Sequence, residues 1–361
     1  MTIEWLAGNR LRGTTAERPS VSLQSPSVGG WVEVGRTTLG SANTDMLVSS
    51  LPDKEYYMIL GHGQGYGSAV SNFRHRFNGD TGNNYASRQN QNGGSDGTYT
   101  TLNGIQQDKA TNGDSGAIIV GYVANKSDKE KLMIMHTGEF GGTGAGTAPV
   151  NRKEIVGKWA NTSNPISSYT WTQYQGTDQF QSGNEVVVLG WDPSDSHTTN
   201  FWEELDSVTL TGTNDNLDSN TFTAKKYLWV QMYLRWNGTA SDARINFNDD
   251  TGSNYSRRLS QNGGSDITQV NQTYFDAVYS TCGYAMQVNM FIINNSSNEK
   301  LIISHSNGVT SSGAGTAPDR RVEQVGKWAN TSSQITSIDV FTEVSSSTFN
   351  AGSTLKVWGS D

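Results

Sequence analysis

The chain has 361 residues, of which 34% are hydrophobic, 17% charged and 10% aromatic, and its formal net charge at pH 7 is −8. A length beyond the usual roughly 100–200 residues per domain predicts two domains. The acidic balance argues against a nucleic-acid partner, and the lack of an apolar run near the ~18 residues of a membrane span argues against a membrane partner.

Residues 1–30 have no counterpart later in the chain and are predicted to form an extended N-terminal arm with one short strand near Ile3–Leu6. This segment lacks the apolar stretch after a basic start that marks a signal peptide, so we expect synthesis without a secretory signal. Leaderless export, or removal of a leader, is the alternative. Cys282 is the single cysteine, which excludes an intrachain disulfide.

The rest of the chain is one unit written twice. The segments Phe77–Asp96 and Phe247–Asp266 agree at 14 of 20 positions. Two further blocks recur in the same order, namely "GAGTAP" at Gly144–Pro149 and Gly313–Pro318, and "GKWANTS" at Gly157–Ser163 and Gly326–Ser332. The copies lie 170 residues apart at the first block and 169 at the later ones, which indicates two copies of one fold rather than short repeats.

These units are predicted to span residues 31–195 and 196–361. Their apolar residues alternate with polar ones, as in Tyr227–Trp236 and Met286–Ile292, and no window sustains a helical period. Asn-Gly dipeptides between the strands favour hairpin turns; examples are Asn78-Gly79, Asn92-Gly93, Asn262-Gly263 and Asn307-Gly308. The pattern predicts an all-β fold, with two tandem jelly-roll-like β-sandwich domains of about eight strands each.

The duplicated polar block carries four aspartates that could hold calcium: Asp80, Asp96, Asp250 and Asp266. An EF-hand loop requires oxygen ligands at alternate positions and a closing Glu, and the block provides neither completely. Asn, Asp and Gly are also the ordinary residues of tight turns. We therefore expect structural turns and no cofactor, with a calcium ion as the alternative.

Two further motifs contain residues that could carry chemistry. "NGDSGA" at Asn112–Ala117 contains the Gly-Asp-Ser-Gly that surrounds a protease serine, and His62 precedes Ser115 in the order of such a triad. The match is short in a chain rich in Gly and Ser, so a serine hydrolase is the remote alternative. His136 and His305 occupy equivalent positions, but one His per domain without a second ligand is more typical of a packed residue than of a metal site.

Tryptophan placement separates two groups. Trp159 and Trp328 recur in both units and are predicted to pack in or beside the core. Trp171, Trp191 and Trp236 lack a Trp partner in the other unit, which makes them the candidates for an exposed contact surface or a sugar-binding platform. Core packing is the alternative for these three as well.

The blocks "FNGDTGNNY…NGGSD" and "GKWANTS…ITS" together resemble repeat domains in structural proteins of tailed phages and related, often marine, viruses. The resemblance covers roughly residues 31–190 and 200–361 and carries no catalytic residue. It implies a non-enzymatic virion protein, such as a capsid decoration protein or a tail or fibre appendage. The expected partners are other virion proteins and further copies of the chain, and the expected location is the virion after assembly in the host cytoplasm. A module that binds host-surface glycans is the main alternative.

Overall fold

The structure is a computed structural model that describes residues 30–66, 71–110, 116–174, 179–193, 195, 199–237 and 241–361. The predicted N-terminal arm lies outside these residues, apart from Gly30. Strands account for all the regular secondary structure in the described part of the chain, and no helix there is suited to spanning a membrane. The all-β prediction is confirmed.

The first sandwich consists of a nine-stranded and a four-stranded antiparallel sheet. Its strands are β1 (Val32–Thr38), β2 (Asp45–Val48), β3 (Tyr56–Tyr66), β4 (Ser71–Phe77), β5 (Tyr85–Gln91), β6 (Gly97–Leu102), β7 (Ile105–Ala110), β8 (Gly116–Ala124), β9 (Lys131–Phe140), β10 (Pro149–Trp159), β11 (Tyr169–Gln173), β12 (Gln179–Phe180) and β13 (Glu185–Trp191). The large sheet has the order β1-β13-β3-β8-β9-β10-β5-β6, with β12 paired to β3, and the small sheet has the order β2-β11-β4-β7.

The second sandwich repeats this topology strand for strand. Its strands are β14 (Glu203–Thr209), β15 (Asn216–Asp218), β16 (Tyr227–Asn237), β17 (Ser241–Phe247), β18 (Tyr255–Gln261), β19 (Ile267–Gln272), β20 (Phe275–Cys282), β21 (Ala285–Ile293), β22 (Lys300–Val309), β23 (Arg320–Trp328), β24 (Ile338–Thr342), β25 (Thr348–Phe349) and β26 (Thr354–Ser360). The sheet orders are β14-β26-β16-β21-β22-β23-β18-β19, with β25 paired to β16, and β15-β24-β17-β20. The two jelly-roll-like sandwiches are thus present, each with thirteen strands in the described residues where about eight were expected.

Each sandwich has its own core between its two sheets. Residues alternate between the buried and the outer face along the strands, as in β2, where Met46 and Val48 are buried while Asp45 and Leu47 are exposed. The alternation follows from the two-residue period of a β-strand. It leaves the outer faces of the two large sheets as the remaining surfaces on which apolar side chains can associate.

The duplicated polar block forms a corner in each sandwich. The Asp80 carboxylate accepts hydrogen bonds from the Gly82 amide (2.8 Å), the Asn84 side chain (2.9 Å) and the Trp159 indole (2.7 Å). The second copy repeats this arrangement with Asp250, Gly252, Asn254 and Trp328. The block therefore connects a tight turn to the core tryptophan of the "GKWANTS" block, which explains why both recur together.

Most of the described Asn-Gly turns follow the prediction. Asn78 (φ 52°) and Gly79 (φ 63°) both adopt the left-handed conformation that such hairpin turns require, as do Asn92-Gly93 and Asn262-Gly263. Asn307-Gly308 was wrongly predicted as a turn, because both residues lie inside β22 and pair with β21 and β23. A dipeptide that permits a turn does not impose one when ladder partners are present on both sides.

Candidate functional site at the interface between the sandwiches

The two sandwiches associate through the outer faces of their large sheets. A continuous apolar cluster joins them, with Met58, Leu60, Ile118, Val120, Phe140, Val187 and Leu189 from the first sandwich and Phe201, Trp202, Tyr227, Phe291, Ile293, Leu301, Ile303 and Val325 from the second. Removing such area from water contributes about 25 cal/mol per Å². The interface therefore resembles a third core more than a contact between independent surfaces.

A loop of the first sandwich is held by polar groups of the second. This docking loop, residues 142–149, includes the first "GAGTAP" block. Its backbone makes five hydrogen bonds: Gly142 O with Lys327 Nζ (2.7 Å), Gly144 N with Glu299 Oε1 (2.5 Å), Ala145 O with Asn271 N (2.9 Å), Thr147 O with Ser256 Oγ (3.0 Å) and Pro149 O with Arg258 Nε (2.8 Å). Since each of these hydrogen bonds is to the main chain, the second sandwich recognises the backbone shape of the loop.

Buried charge accompanies this contact. The Arg152 side chain is 1% exposed and lies near three carboxylates: Asp266 at 3.0 Å, Glu323 at 3.2 Å and Glu154 at 3.3 Å. Asp266 and Glu323 belong to the second sandwich, so the guanidinium links the two halves of the chain. Removing one member of a buried charge pair leaves the other uncompensated, which is costly.

Two histidines and a glutamate meet at the same interface. His136 and His305 lie against each other with ring centroids 4.1 Å apart, and both hydrogen-bond to Glu154, His305 at 3.3 Å. Burial by itself would raise the pKa of Glu154, but the hydrogen bonds from the two histidines outweigh it and hold that pKa well below its ordinary value. The carboxylate is therefore ionised at neutral pH and joins the two sandwiches electrostatically.

This cluster is where a metal ion could bind. One ligand atom from each of His136, Glu154 and His305 lies within 4.8 Å of the other two. Within the described part of the chain, these three form the group of histidine and carboxylate side chains that is close enough to share a metal ion. Two imidazoles and a carboxylate form a donor set suited to zinc. Arg152 already supplies positive charge to Glu154, so the carboxylate has a counter-charge without a metal ion. The sequence shows that the two histidines are equivalent, but it does not show which sheet faces pack together, so it does not predict that they meet.

The aspartates proposed for calcium are placed elsewhere. Asp80 and Asp250 each accept three N–H donors at the corners, and Asp96 lies 3.5 Å from Arg88. Asp266 is buried against Arg152. These carboxylates face hydrogen-bond donors and cations, and the described residues do not bring them together as a set of ligands. The geometry fits structural roles for all four.

Two of the three candidate tryptophans are buried, as the core-packing alternative expects. Trp171 is 0% exposed and packs against Phe73 and Phe180, while Trp236 is 6% exposed and donates its indole hydrogen to Ser241 O at 2.8 Å. Both lie in the cores: Trp171 packs over Gly61 and Gly63, and Trp236 packs against Phe349. Burial removes them as platforms for a ligand.

Trp191 is the exception, since it is partly exposed at the end of β13. Its ring lies 5.4 Å from that of Tyr56, and Asp192 beside it lines a polar groove of about 660 Å³. The groove is also lined by Asp53, Glu55, Asn125, Lys126, Ser127, Asp128 and Pro193. An aromatic pair at the rim of a polar groove is compatible with a carbohydrate ligand.

The serine-hydrolase motif is only half described. His62 is buried beside the interface, and its pKa is lowered to about 4 because burial disfavours the charged imidazole and Lys226 repels it. Asn112–Ser115 lie outside the described residues. The structure therefore places the histidine without its proposed nucleophile.

Comparison with known proteins identifies no family. No family model matches the chain, and no curated protein matches it. Among solved structures, the mouse laminin alpha1 chain, domains LG4-5, shares 10% identity over 91% of this chain and 89% of its own, with a TM-score of 0.18. A xylan beta-1,4-xylosidase from Bacillus halodurans shares 8% identity over 93% and 99%, with a TM-score of 0.19. TM-scores this low carry no argument about fold or function.

Proposed function

We propose that the protein is a non-enzymatic structural protein of a virion, such as a capsid decoration protein or a tail or fibre appendage, that acts by assembly with other proteins. The observation that supports this role is an exposed apolar row on the large sheet of the first sandwich. Leu132, Ile134 and Val156 are 56%, 52% and 49% exposed, although they lie side by side on β9 and β10. Contiguous apolar side chains at a surface are typical of interaction sites.

The manner in which the two sandwiches associate also supports an assembly role. The outer sheet faces of the two sandwiches bury apolar side chains against each other. At the edge of this contact, polar side chains of the second sandwich bind the backbone of a loop of the first. A particle built from such units needs neither disulfides nor enzymatic chemistry, since the association itself is the function. The sequence resemblance to phage repeat domains connects this role to a virion.

Localisation in purified particles tests the virion role. Particles from the protein's source would be purified on a density gradient, and the fractions analysed by mass spectrometry and immunogold labelling. We expect the protein to co-sediment with intact particles at a fixed stoichiometry and to be labelled on their surface. Recovery only in soluble fractions free of particles would overturn the proposal.

A glycan-binding role is the second candidate, because the aromatic pair Trp191 and Tyr56 directly adjoins in sequence Asp192 and Glu55, which line the polar groove. Glycan-array screening with the Trp191→Ala variant tests it, and Tyr233→Ala is a matched control because Tyr233 is an exposed aromatic residue on the second sandwich. A glycan-binding protein would lose its signal with Trp191→Ala and keep it with Tyr233→Ala. No binding by the unmodified protein would exclude this candidate for the glycans on the array.

A further inference from the structure

We propose that the protein associates head to tail with further copies of itself by repeating the loop-to-face part of the contact between its own two sandwiches. One partner surface is the sheet face of the first sandwich that carries Leu132, Ile134 and Val156, here called the receiving face. In another copy, the second sandwich's counterpart of the docking loop, residues 311–318, would bind to this face. The inference deepens the proposed assembly role and rests on it. Its test uses the isolated protein, so its failure is distinguishable from failure of the virion assignment.

The receiving face is present twice. In the second sandwich it consists of Glu299, Leu301, Ile303, Val325 and Lys327, which lie against the first sandwich. Residues 169 positions earlier are Glu130, Leu132, Ile134, Val156 and Lys158, identical at all five positions. The register is also shared, because Ile134 pairs with Val156 as Ile303 pairs with Val325.

One copy of this face is covered and the other is open. Leu301, Ile303 and Val325 are 4%, 2% and 1% exposed, whereas their counterparts Leu132, Ile134 and Val156 are about half exposed. The apolar side chains of this face are thus buried in the second sandwich by contact with the first. In the first sandwich it has no equivalent cover within the described part of the chain.

The docking loop is also present twice, but here the copy in the first sandwich is covered and the copy in the second is exposed. In the first sandwich the "GAGTAP" block is covered, and Ala145 within it is 7% exposed. In the second sandwich, the matching residues 311–318 are all exposed. A single chain therefore carries one open receiving face and one open docking loop, which correspond to the loop-to-face part of a contact that it already makes internally.

The polar groups that hold the loop are largely retained on the open face. Lys158 and Glu130 form an ion pair at 2.9 Å, as Lys327 and Glu299 do at 3.0 Å. The Ala145 O partner Asn271 (φ 51°) corresponds to Thr101 (φ 52°), which presents a backbone amide at the same strained position. Arg258 corresponds to Arg88, and only the Ser256 hydroxyl is lost, because Ala86 replaces it. Because the loop is held through its main chain, the retained groups on the open face can bind the backbone of the second "GAGTAP" block in the same way.

Shared ancestry of the repeats does not by itself explain the open apolar row. Elsewhere on the outer sheet face, four apolar residues that are buried at the interface in the first sandwich have polar counterparts in the second. By strand register these pairs are Leu60 and Gln231, Ile118 and Gln287, Val120 and Asn289, and Val187 and Lys356. An open position of this fold therefore need not be apolar, yet Leu132, Ile134 and Val156 are. The polar counterparts lie on the part of the second sandwich that would face the open row. A second copy would therefore repeat the loop-to-face part of the internal interface and not its apolar sheet-to-sheet part.

The contact is heterologous, since a loop on one partner meets a sheet face on the other. Contacts of this kind close into rings when the rotation permits and otherwise extend into filaments. Each added copy would bring one new open face and one new open loop. The proposal therefore predicts species larger than a dimer at high protein concentration.

Complementation between two blocked variants tests the proposal. Ile134→Glu places a charge on the open receiving face, and Ala314→Arg places a large side chain in the open docking loop, at the counterpart of Ala145. Mass would be measured by light scattering coupled to size-exclusion chromatography over a concentration series. We expect the unmodified chain of 39.2 kDa to form multimers, each variant alone to remain monomeric, and their mixture to form 1:1 dimers and nothing larger.

A matched control separates this contact from general stickiness. Leu47→Glu changes a residue that is also about half exposed but lies on the small sheet, so it should leave the multimers unchanged. Circular dichroism and thermal unfolding would confirm that all variants fold. A monomeric unmodified protein at its solubility limit, multimers that persist in Ile134→Glu or Ala314→Arg, or a mixture that stays monomeric would overturn the proposal.

Discussion

His136 and His305 occupy the same position in the two repeats, and they lie against each other across the interface with ring centroids 4.1 Å apart. A residue and its own counterpart meet at this point, yet the surrounding contacts are not symmetric. Arg152 is buried among three carboxylates, whereas its counterpart Arg321 is mostly exposed and lies 3.1 Å from Glu323. The two sandwiches are thus offset, which leaves different surfaces open on each.

Glu154 is expected to stabilise the fold in a pH-dependent way. Because its pKa is lowered in the folded protein, its contribution is present above the ordinary value of 4.5 and is lost as the pH falls through the folded value. Glu154→Gln should lower the free energy of unfolding at pH 7 by about 1.5–3 kcal/mol, the range for hydrogen bonds to charged groups. Denaturant unfolding from pH 7 downward measures both effects. An unchanged pH profile below pH 4.5 in the variant would contradict this assignment.

The offset between the sandwiches predicts unequal effects for two equivalent arginines. Arg152→Ala leaves Asp266 buried without its main cation and should cost about 3–5 kcal/mol. Arg321→Ala removes an exposed ion pair and should cost at most about 1 kcal/mol. Chemical denaturation of both variants measures the difference. Equal costs would mean that the interface is symmetric, contrary to the structure.

The fold could be predicted from the repeats because turn residues and strand alternation are local signals. The recurring aspartate, asparagine and tryptophan of the two corners stand at constant spacing in both copies, so a duplicated turn was expected before any contact was known. The burial of Trp171 could not be predicted in this way. It depends on which residues lie opposite on another strand, and a sequence without a known pairing does not show them.

Residues opposite Trp171 explain why it has no Trp partner in the second repeat. Trp171 lies over Gly61 and Gly63 of β3, where an added Cβ would come within 3.0 Å and 2.8 Å of the indole ring. By strand register the corresponding residues of the second sandwich are Val340 for the tryptophan and Met232 and Leu234 for the glycines. Large and small residues have exchanged places, so both cores remain filled. The interface cluster was missed for a similar reason, since it required knowing which faces pack together.

Asp80 tests the structural interpretation of the duplicated corner against the calcium alternative. Asp80→Ala leaves three N–H donors without their shared acceptor and should reduce the free energy of unfolding by about 1–3 kcal/mol. Asp250→Ala is the matched variant in the second sandwich and should behave alike. The melting temperature of the unmodified protein should be the same with calcium and with EDTA. A large shift on chelation would favour the ion instead.

His62 predicts a loss of stability in mildly acidic solution. Its pKa falls from 6.5 to about 4 in the folded protein because burial disfavours the imidazolium. Below pH 6.5 the unfolded chain therefore binds a proton that the folded chain does not, so stability decreases as the pH falls toward 4, by at most about 1.4 kcal/mol per pH unit. His62→Gln should reduce this slope, which unfolding curves between pH 7 and pH 4 would measure. His75, with a pKa lowered to about 3 by burial, contributes a similar slope and should leave part of it in the variant.

The exchange of large and small core residues predicts strong coupling between positions 63 and 171. In the unmodified protein, Gly63→Ala forces a methyl group against the Trp171 ring and should cost about 1–3 kcal/mol, as overpacking does. Trp171→Val opens a cavity and should cost about 3–5 kcal/mol. In the double variant, the added methyl group occupies part of that cavity. The loss of unfolding free energy should therefore be smaller than the sum of the two single losses. Unfolding free energies of the four proteins form a double-mutant cycle. Strictly additive costs would show that the indole does not occupy the space above Gly63.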